Sequence, residues 1–387
     1  MFVRKGITLL AATAALALAL GGCAAGQSAG DGGENDGTDV DPGYAQSVQD
    51  TLDAAMAPQA ELELADNPAV ADKDIAIVAV TLAETGALRT SKALTAAIED
   101  IGWTSTTYDG QGSPTVANQK LEQAVTTNPD AIVLISLDPT DVGSGLQAAK
   151  AANIPVSCAA CWDLTDPDGG NLGQYYADVT PAISVFEDMG YYAAAYAYPQ
   201  TDGHPHFLRM HDPALSNLSA RDAGFDRFMD ECAEAKGDCR LVADKKFQVA
   251  NATTTLPADG ASLAQANPDF NAYWVSFDFA GLQVLNGLRQ AGLANNPDQF
   301  MVSSNGDGPN LEIIQDGGYI KVTVAISFEQ EAYALVDNLN RILQGQEPTE
   351  ENVPIRVFDQ SNADEAQNGN WSGDVDYRAA YLEAWGR

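Results

Sequence analysis

Apolar residues change their spacing along this chain in a regular way. The pattern settles at Asp74, where "DIAIVAV" is a short β-branched run of the kind that fills a buried strand. "LRTSKALTAAIEDIGW" (Leu88–Trp103) follows with apolar residues three and four apart, which predicts a helix closed by Gly102. "TSTTYDG" then reads as strand and turn, "SPTVANQKLEQAVTTNP" (Ser113–Pro129) as a helix with Pro in its first turn, and "DAIVLISL" (Asp130–Leu137) as a buried strand. Helix, Asn turn and strand recur in "DVGSGLQAAKAANIPVSC". After Asp178 the rhythm restarts: "ISVFEDMGYYAAAYAY" as helix, "HPHFLRMHD" as strand, "SARDAGFDRFMDECAEAK" as helix, "DCRLVADKKF" and "AYWVSFD" as strands. "FAGLQVLNGLRQAG" (helix), "FMVSSNGDG" (strand), "NLEIIQDGG" (helix) and "YIKVTVAIS" (strand) complete it. Strands separated by helices of about 10 to 15 residues build βαβ units, so the predicted class is α/β with doubly wound, Rossmann-like parallel sheets.

Upstream the pattern is of another kind. Arg4 and Lys5 precede fourteen residues, Ile7–Leu20, that are apolar or small except for Thr8 and Thr13. That is short for a membrane span of about 20 residues and suits the apolar core of a secretory leader. The next four residues, Leu20, Gly21, Gly22 and Cys23, resemble the bacterial lipobox, which implies removal of residues 1–22 and acylation of Cys23. Acyl chains there would anchor the protein in the membrane, each buried methylene contributing about 0.8 kcal/mol. Between Lys5 and Lys73 there is no Lys or Arg but there are eleven Asp or Glu, mixed with Gly and Ser. Such a stretch buries too little apolar surface to offset its chain entropy, so 23–68 is predicted to be the lipidated Cys and a spacer, with "YAQSVQDTLDAAMA" as a short helix within it.

Composition narrows the class. The chain has 20 basic and 54 acidic residues among 387, a net charge of −34, which argues against binding nucleic acid. The body after the spacer is long enough for two domains. Two doubly wound halves place a ligand at the carboxyl ends of the strands, in the crevice where they face each other.

From Lys73 to about Gln346 the chain resembles the sugar-type, ribose-binding-like solute-binding proteins of ABC importers, a type I periplasmic binding protein family. The resemblance rests on "DIAIVAVTLAETG", "NPDAIVLISLDPTDVGSGLQAAKAANIPV", "SARDAGF", "VSSNGDGPNLEIIQDGGYIKVTVA" and the helix "EAYALVDNLNRILQG". It implies two lobes joined by a hinge, with chain crossings near Asp178, Ile326 and after Gln346: residues 69–178 plus 327–350 in one lobe, and 179–326 plus 351–387 in the other. A strand and a terminal helix are expected in the tail from Val353.

Site residues follow from the same resemblance. Arg221 matches the family's cleft arginine, whose planar fork suits adjacent hydroxyls or a carboxylate. Asp307 matches an aspartate that accepts hydrogen bonds from the ligand; Asp278 sits where the family often has Asn-Asp, with Phe277 on the Asn position. The first half departs from the pattern. Glu84, Thr85, Gly86 and Ala87 stand where aromatic residues often sandwich a pyranose, and "CAACWD", with Trp162 and Asp163, replaces a common Asp-Arg. Late in the chain Ile326, Ser327 and Phe328 occur where a glutamine is common. A pocket of Glu84, Thr85, Trp162, Asp163, Arg221, Phe277, Asp278 and Asp307 would suit a polyhydroxylated ring, and the same acids would suit an amine or nucleoside-type solute.

Four cysteines remain. Cys232 and Cys239 flank a helix-to-strand loop and are the first choice for a local disulfide, while Cys158 and Cys161 read as a local bridge or two free thiols. His204, His206 and His211 are ligand types, but Pro205 lies between the first two and CxxC falls in the other half, so no metal is expected; His211 and Asp212 are better read as cleft-lining groups. No P-loop, Rossmann fingerprint or HExxH occurs, and neither an enzyme nor a cofactor is predicted. The expectation is a lipid-anchored, extracytoplasmic, monomeric binding protein that closes on a sugar or polyol and delivers it to an ABC permease. The alternative is a sensing lipoprotein that presents its closed form to a kinase or chemoreceptor.

Overall fold

The computed structural model describes residues 41, 43–59, 61–166, 171–350, 353–366 and 369–387. The predicted leader, Cys23 and the first part of the spacer lie outside these. Two sheets organise the rest. The first has strand order β2-β1-β3-β4-β5, all parallel: β1 Asp74–Ala79, β2 Thr104–Asp109, β3 Ala131–Ile135, β4 Val156–Ala159 and β5 Asp178–Thr180. The second runs β11-β10-β9-β8-β6-β7: β6 His206–His211, β7 Arg240–Lys246, β8 Ala272–Val275, β9 Phe300–Asn305, β10 Ile320–Ile326 and an antiparallel edge, β11 Ile355–Asp359.

Strand parity divides the core. Ile75, Ile77 and Ala79 of β1 turn to a face covered by helices α2 (Thr85–Asp100) and α10 (Phe328–Leu343). Ala76 and Val78 turn to the other, where α3 (Pro114–Thr126) and α4 (Gly143–Ala151) pack with Leu121 and Leu146. Both faces of a parallel sheet are covered, which is why these strands read as continuous apolar runs. In the second sheet Phe207 and Trp274 face α5 (Ile183–Gln200) and α6 (Ser216–Glu234), while Leu208, Tyr273 and Val275 face α7 (Ala252–Ala266), α8 (Asp278–Gln290) and α9 (Gly308–Gln315).

Three features depart from the sequence reading. The stretch 247–271, left without a helix above, holds α7 in spite of Pro257; a Cβ on Gly287 of α8 would lie 1.8 Å from the Pro257 carbonyl oxygen, so close backbone packing sustains this helix against its propensity. Residues 41–66, read as spacer, are docked. Helix α1 (Tyr44–Met56) buries Val48 and Leu52, sets Tyr44 edge-on to Tyr198 at 5.1 Å, and is preceded by the Asp41 amide donating to the Ala235 carbonyl at 3.0 Å. The reason is its apolar face, which the segment's acidity concealed. Third, the tail divides between the halves: β11 extends the second sheet, whereas α11 (Tyr377–Ala384) lies against α10, with Trp385 stacked on Tyr333 at 5.7 Å and donating to Asp337 at 2.8 Å. The 351–387 segment therefore does not belong wholly to the second half.

Cys232 is bridged to Cys239, and Cys158 to Cys161, each within one half.

Candidate functional site

The carboxyl ends of the two sheets face each other across a cavity. The space between them free of protein atoms is about 560 Å³ including its open mouth, and the part in which the centre of a water molecule fits is about 50 Å³.

The second half supplies most of the chemistry. Arg221 sits on α6, whose approach to α5 is set by two glycines: a Cβ on Gly190 would fall 1.9 Å from the Arg221 carbonyl oxygen, and one on Gly224 1.8 Å from that of Glu187. This backbone-to-backbone contact fixes where the guanidinium emerges. Nη1 donates to the Ser276 carbonyl (2.8 Å) and Ser304 Oγ (3.1 Å), Nη2 donates to Asn305 Oδ1 (2.9 Å), and the group lies over the Phe186 ring at 5.6 Å. Nε, although buried, has no partner among the described residues. Burial lowers the Arg221 pKa to about 10, against the opposing pull of Asp278, Glu84, Asp307 and Glu331, so it stays cationic at neutral pH. Beside it Asn217 lines the cavity with a buried, unpartnered Oδ1. Phe277 forms an apolar wall, held by Phe279 (6.4 Å between centroids, stacked) and Phe247 (6.2 Å).

The first half contributes a plainer surface. Glu84 caps α2: its carboxylate accepts from the amides of Gly86 (2.6 Å) and Ala87 (2.8 Å). Burial raises its pKa, opposed by those amides and by Arg221 and Arg89. Thr81, Thr90, Ser136, Ala160 and Phe328 complete this wall. Ser136 (φ 50°), Ala160 (φ 57°) and, opposite, Asn305 (φ 144°) hold backbone conformations that side-chain-bearing residues seldom adopt; strain of this kind concentrates at functional sites.

The halves also touch directly. Asp138, after β3, accepts from Ser216 Oγ at 2.7 Å and from the Ser216 amide at 3.3 Å at the start of α6, and from the Trp162 amide at 2.8 Å. Burial pushes its pKa up to about 6. Arg89 of α2 pairs with Asp307 (3.1 Å) from the second half and with Glu329 (3.0 Å), and donates to the Trp371 carbonyl at 2.9 Å. Both contacts hold the halves together around the cavity.

Among the expected site residues, Glu84, Arg221 and Phe277 come together in the cavity wall. The others take different places. Asp278 is fully buried as an internal cap, accepting from the hydroxyls of Ser303 and Thr323 and the Asp307 amide. Asp307 faces Arg89, and burial beside Asp278 raises its pKa above the usual carboxylate range. Asp163 closes its own turn by accepting from Thr165, Trp162 packs on the α3–α4 core, and Thr85 begins α2 away from the wall. His211 and Asp212 are likewise off the wall: His211 Nδ1 is 2.6 Å from Asp222, and Asp212 accepts from the Val249 amide. His204 and His206 lie near Asp238 at 3.3 and 3.8 Å, and among the described residues no cluster of His, Cys, Asp and Glu is arranged for a metal.

Sequence reasoning missed Asn217, Asn305, Ser136 and Arg89. A usable signal existed for Asn305 and Ser136, because each stands at the carboxyl end of its strand run, where side chains turn to the crevice.

Residues 41–347 match the model of a periplasmic binding protein domain. No curated protein matches. Three solved structures are similar in fold. One is an ABC transporter solute-binding protein from Agrobacterium vitis bound with α-D-tagatopyranose: 21% identity, 75% of this chain and 95% of that one covered, TM-score 0.64. A Mycobacterium smegmatis protein in complex with β-D-fucofuranose has 20% identity, covers 81% and 98%, and has a TM-score of 0.65. Another solute-binding protein from that organism, with bound glycerol, has 18% identity, covers 78% and 99%, and has a TM-score of 0.64.

Proposed function

This chain belongs to the periplasmic binding protein family, and from that premise we propose that it is a lipid-anchored extracytoplasmic solute-binding protein that captures a small neutral polyhydroxylated ligand, a sugar or polyol, and delivers it to an ABC import permease. The observation that carries the reading is one cavity shared by both halves, in which the buried Arg221 Nε still has a proton to donate and the buried Asn217 Oδ1 can still accept one. A hydroxyl both accepts and donates, so it suits such a pair.

Charge argues for a neutral ligand. The α2 N-terminus, where an anion would bind, is already occupied by the Glu84 carboxylate. Glu84 is also the one acid of the expected set in the wall, so the acceptor cluster that would suit an amine is not assembled.

Closure is the mechanism. A ligand that contacts both walls only when they meet shifts the population toward the closed form, which a permease can distinguish from the open one. Cys23 would carry the acyl anchor.

A thermal-shift screen against sugars, polyols, nucleosides, amino acids and amines tests this. A ligand at 100 times its dissociation constant adds about 2.7 kcal/mol, several degrees at this size. The expected result is a shift with a sugar or polyol that vanishes in Arg221→Ala. A shift confined to amines or amino acids would overturn the reading.

A further inference from the structure

In the conformation described the cavity is small and the bulky side chains of its walls are braced. At about 10–15 Å³ of such volume per water molecule, a cavity of about 50 Å³ holds about four waters, room of the order of a three- or four-carbon polyol. Sites for drug-sized ligands run to about 300–1,000 Å³. A six-membered sugar ring with its substituents is larger than four waters, each of which takes about 30 Å³ of liquid volume.

Rotating the wall aside is the usual way to enlarge such a site, and packing opposes it at each bulky position. Phe277 is held between the rings of Phe247 and Phe279 at 6.2 and 6.4 Å. Phe328 lies under Arg89, 5.0 Å from the ring centroid, and Arg89 is itself held by Asp307, Glu329 and the Trp371 carbonyl. On the third side Gly86 stands so close to Asn305 that a Cβ would meet Nδ2 at 3.3 Å. Trp162, the indole expected as a stacking face for a pyranose, packs against the α3–α4 core and does not line the cavity.

We infer that the cleft selects by size: its ligand is an open-chain polyol of three or four carbons, with Phe277 and Phe328 as the residues that exclude pentoses and hexoses. Arg221 Nε and Asn217 Oδ1 would engage its hydroxyls. This rests on the polyhydroxylated-ligand reading above and goes further in naming the size class and the residues that set it.

The experiment is calorimetric titration of the full chain with glycerol, erythritol, threitol, ribose and galactose. The three- and four-carbon polyols should include the tightest binder, with a Kd at least about tenfold below those of ribose and galactose. Phe277→Ala should narrow or reverse that gap by about tenfold, and Phe328→Ala, on the other wall, serves the same purpose should the first variant misfold. Ribose or galactose binding the unaltered protein more tightly than every short polyol would overturn the size rule and leave the polyhydroxylated-ligand reading intact. A gap unchanged by both folded variants would overturn the assignment to the two rings. Absence of binding by all five at millimolar concentration, with binding of an amine or amino acid instead, would overturn both inferences.

Discussion

The two walls of the cleft are built from different materials. The second-half wall carries a buried cation, two side-chain amides and a braced phenyl ring, namely Arg221, Asn217, Asn305 and Phe277. The first-half wall is mostly small residues and hydroxyls, with its one carboxylate spent on capping α2. Interior polar groups cost free energy unless satisfied, and the two terminal nitrogens of Arg221 are satisfied within their own half by Ser276, Ser304 and Asn305, which leaves Nε and the nearby Asn217 Oδ1 without a partner among the described residues. The first half adds shape and the two ties that cross between the halves, Asp138 to Ser216 and Arg89 to Asp307. On the proposed reading, the second-half wall would read the ligand and the ties would form as the halves meet.

The largest test of this asymmetry acts on a tie. Arg89→Met strands the buried Asp307 carboxyl and the Trp371 carbonyl, and removing one partner of a buried pair costs about 3–5 kcal/mol, so the melting temperature should fall by roughly 5–15 °C. A drop of a degree or less would mean the halves are not coupled through this residue. Next comes the reading wall. Arg221→Ala should weaken ligand binding at least about a hundredfold, since several buried acceptors lose a charged donor; calorimetry that finds affinity retained would move recognition to the first half.

A pH titration sharpens the role of the ties. Burial raises the Asp138 carboxyl to about 6 from its ordinary 3.8, against the hydrogen bonds that the Trp162 amide and, across the halves, Ser216 donate to it. A carboxyl raised in the folded protein contributes stability that is complete below about pH 4 and lost as pH rises through about 6. The melting temperature should therefore carry a component that falls between pH 5 and pH 7.5, and Asp138→Asn should remove it; an unchanged profile in that variant would place the titrating group elsewhere. The smallest effect belongs to the plain wall: Thr90→Val keeps the shape and removes one hydroxyl, and should cost about 1 kcal/mol of binding or less by calorimetry.

The sequence was informative where local physics is strong and silent where packing decides. Every parallel strand with a continuous apolar run was visible, but β5, only Asp178–Thr180, is too short to carry a pattern. Helix α7 was hidden by Pro257 and three consecutive threonines, which lower propensity without preventing a helix that α8 grips through Gly287. Glu84 was visible as a departure from an aromatic pattern, yet its role as a cap needed the start of α2 to be placed at Thr85. Asp307 was expected at the ligand because it matches the family's aspartate in that loop; it stands two positions after Asn305, and that is enough to turn it from the cavity to Arg89.

Taken alone, the sequence determined the class of fold and the alternation of strands and helices, because periodicity is a property of short segments; Arg221 was indicated only through the resemblance of "SARDAGF" to a known family. Which acids face the cavity, how the tail is shared between the halves, where α1 docks and how small the cavity is were decided only in the tertiary structure. A loop residue's direction depends on the strand that ends before it and the helix that starts after it, and a cavity is what remains when all the walls have been packed.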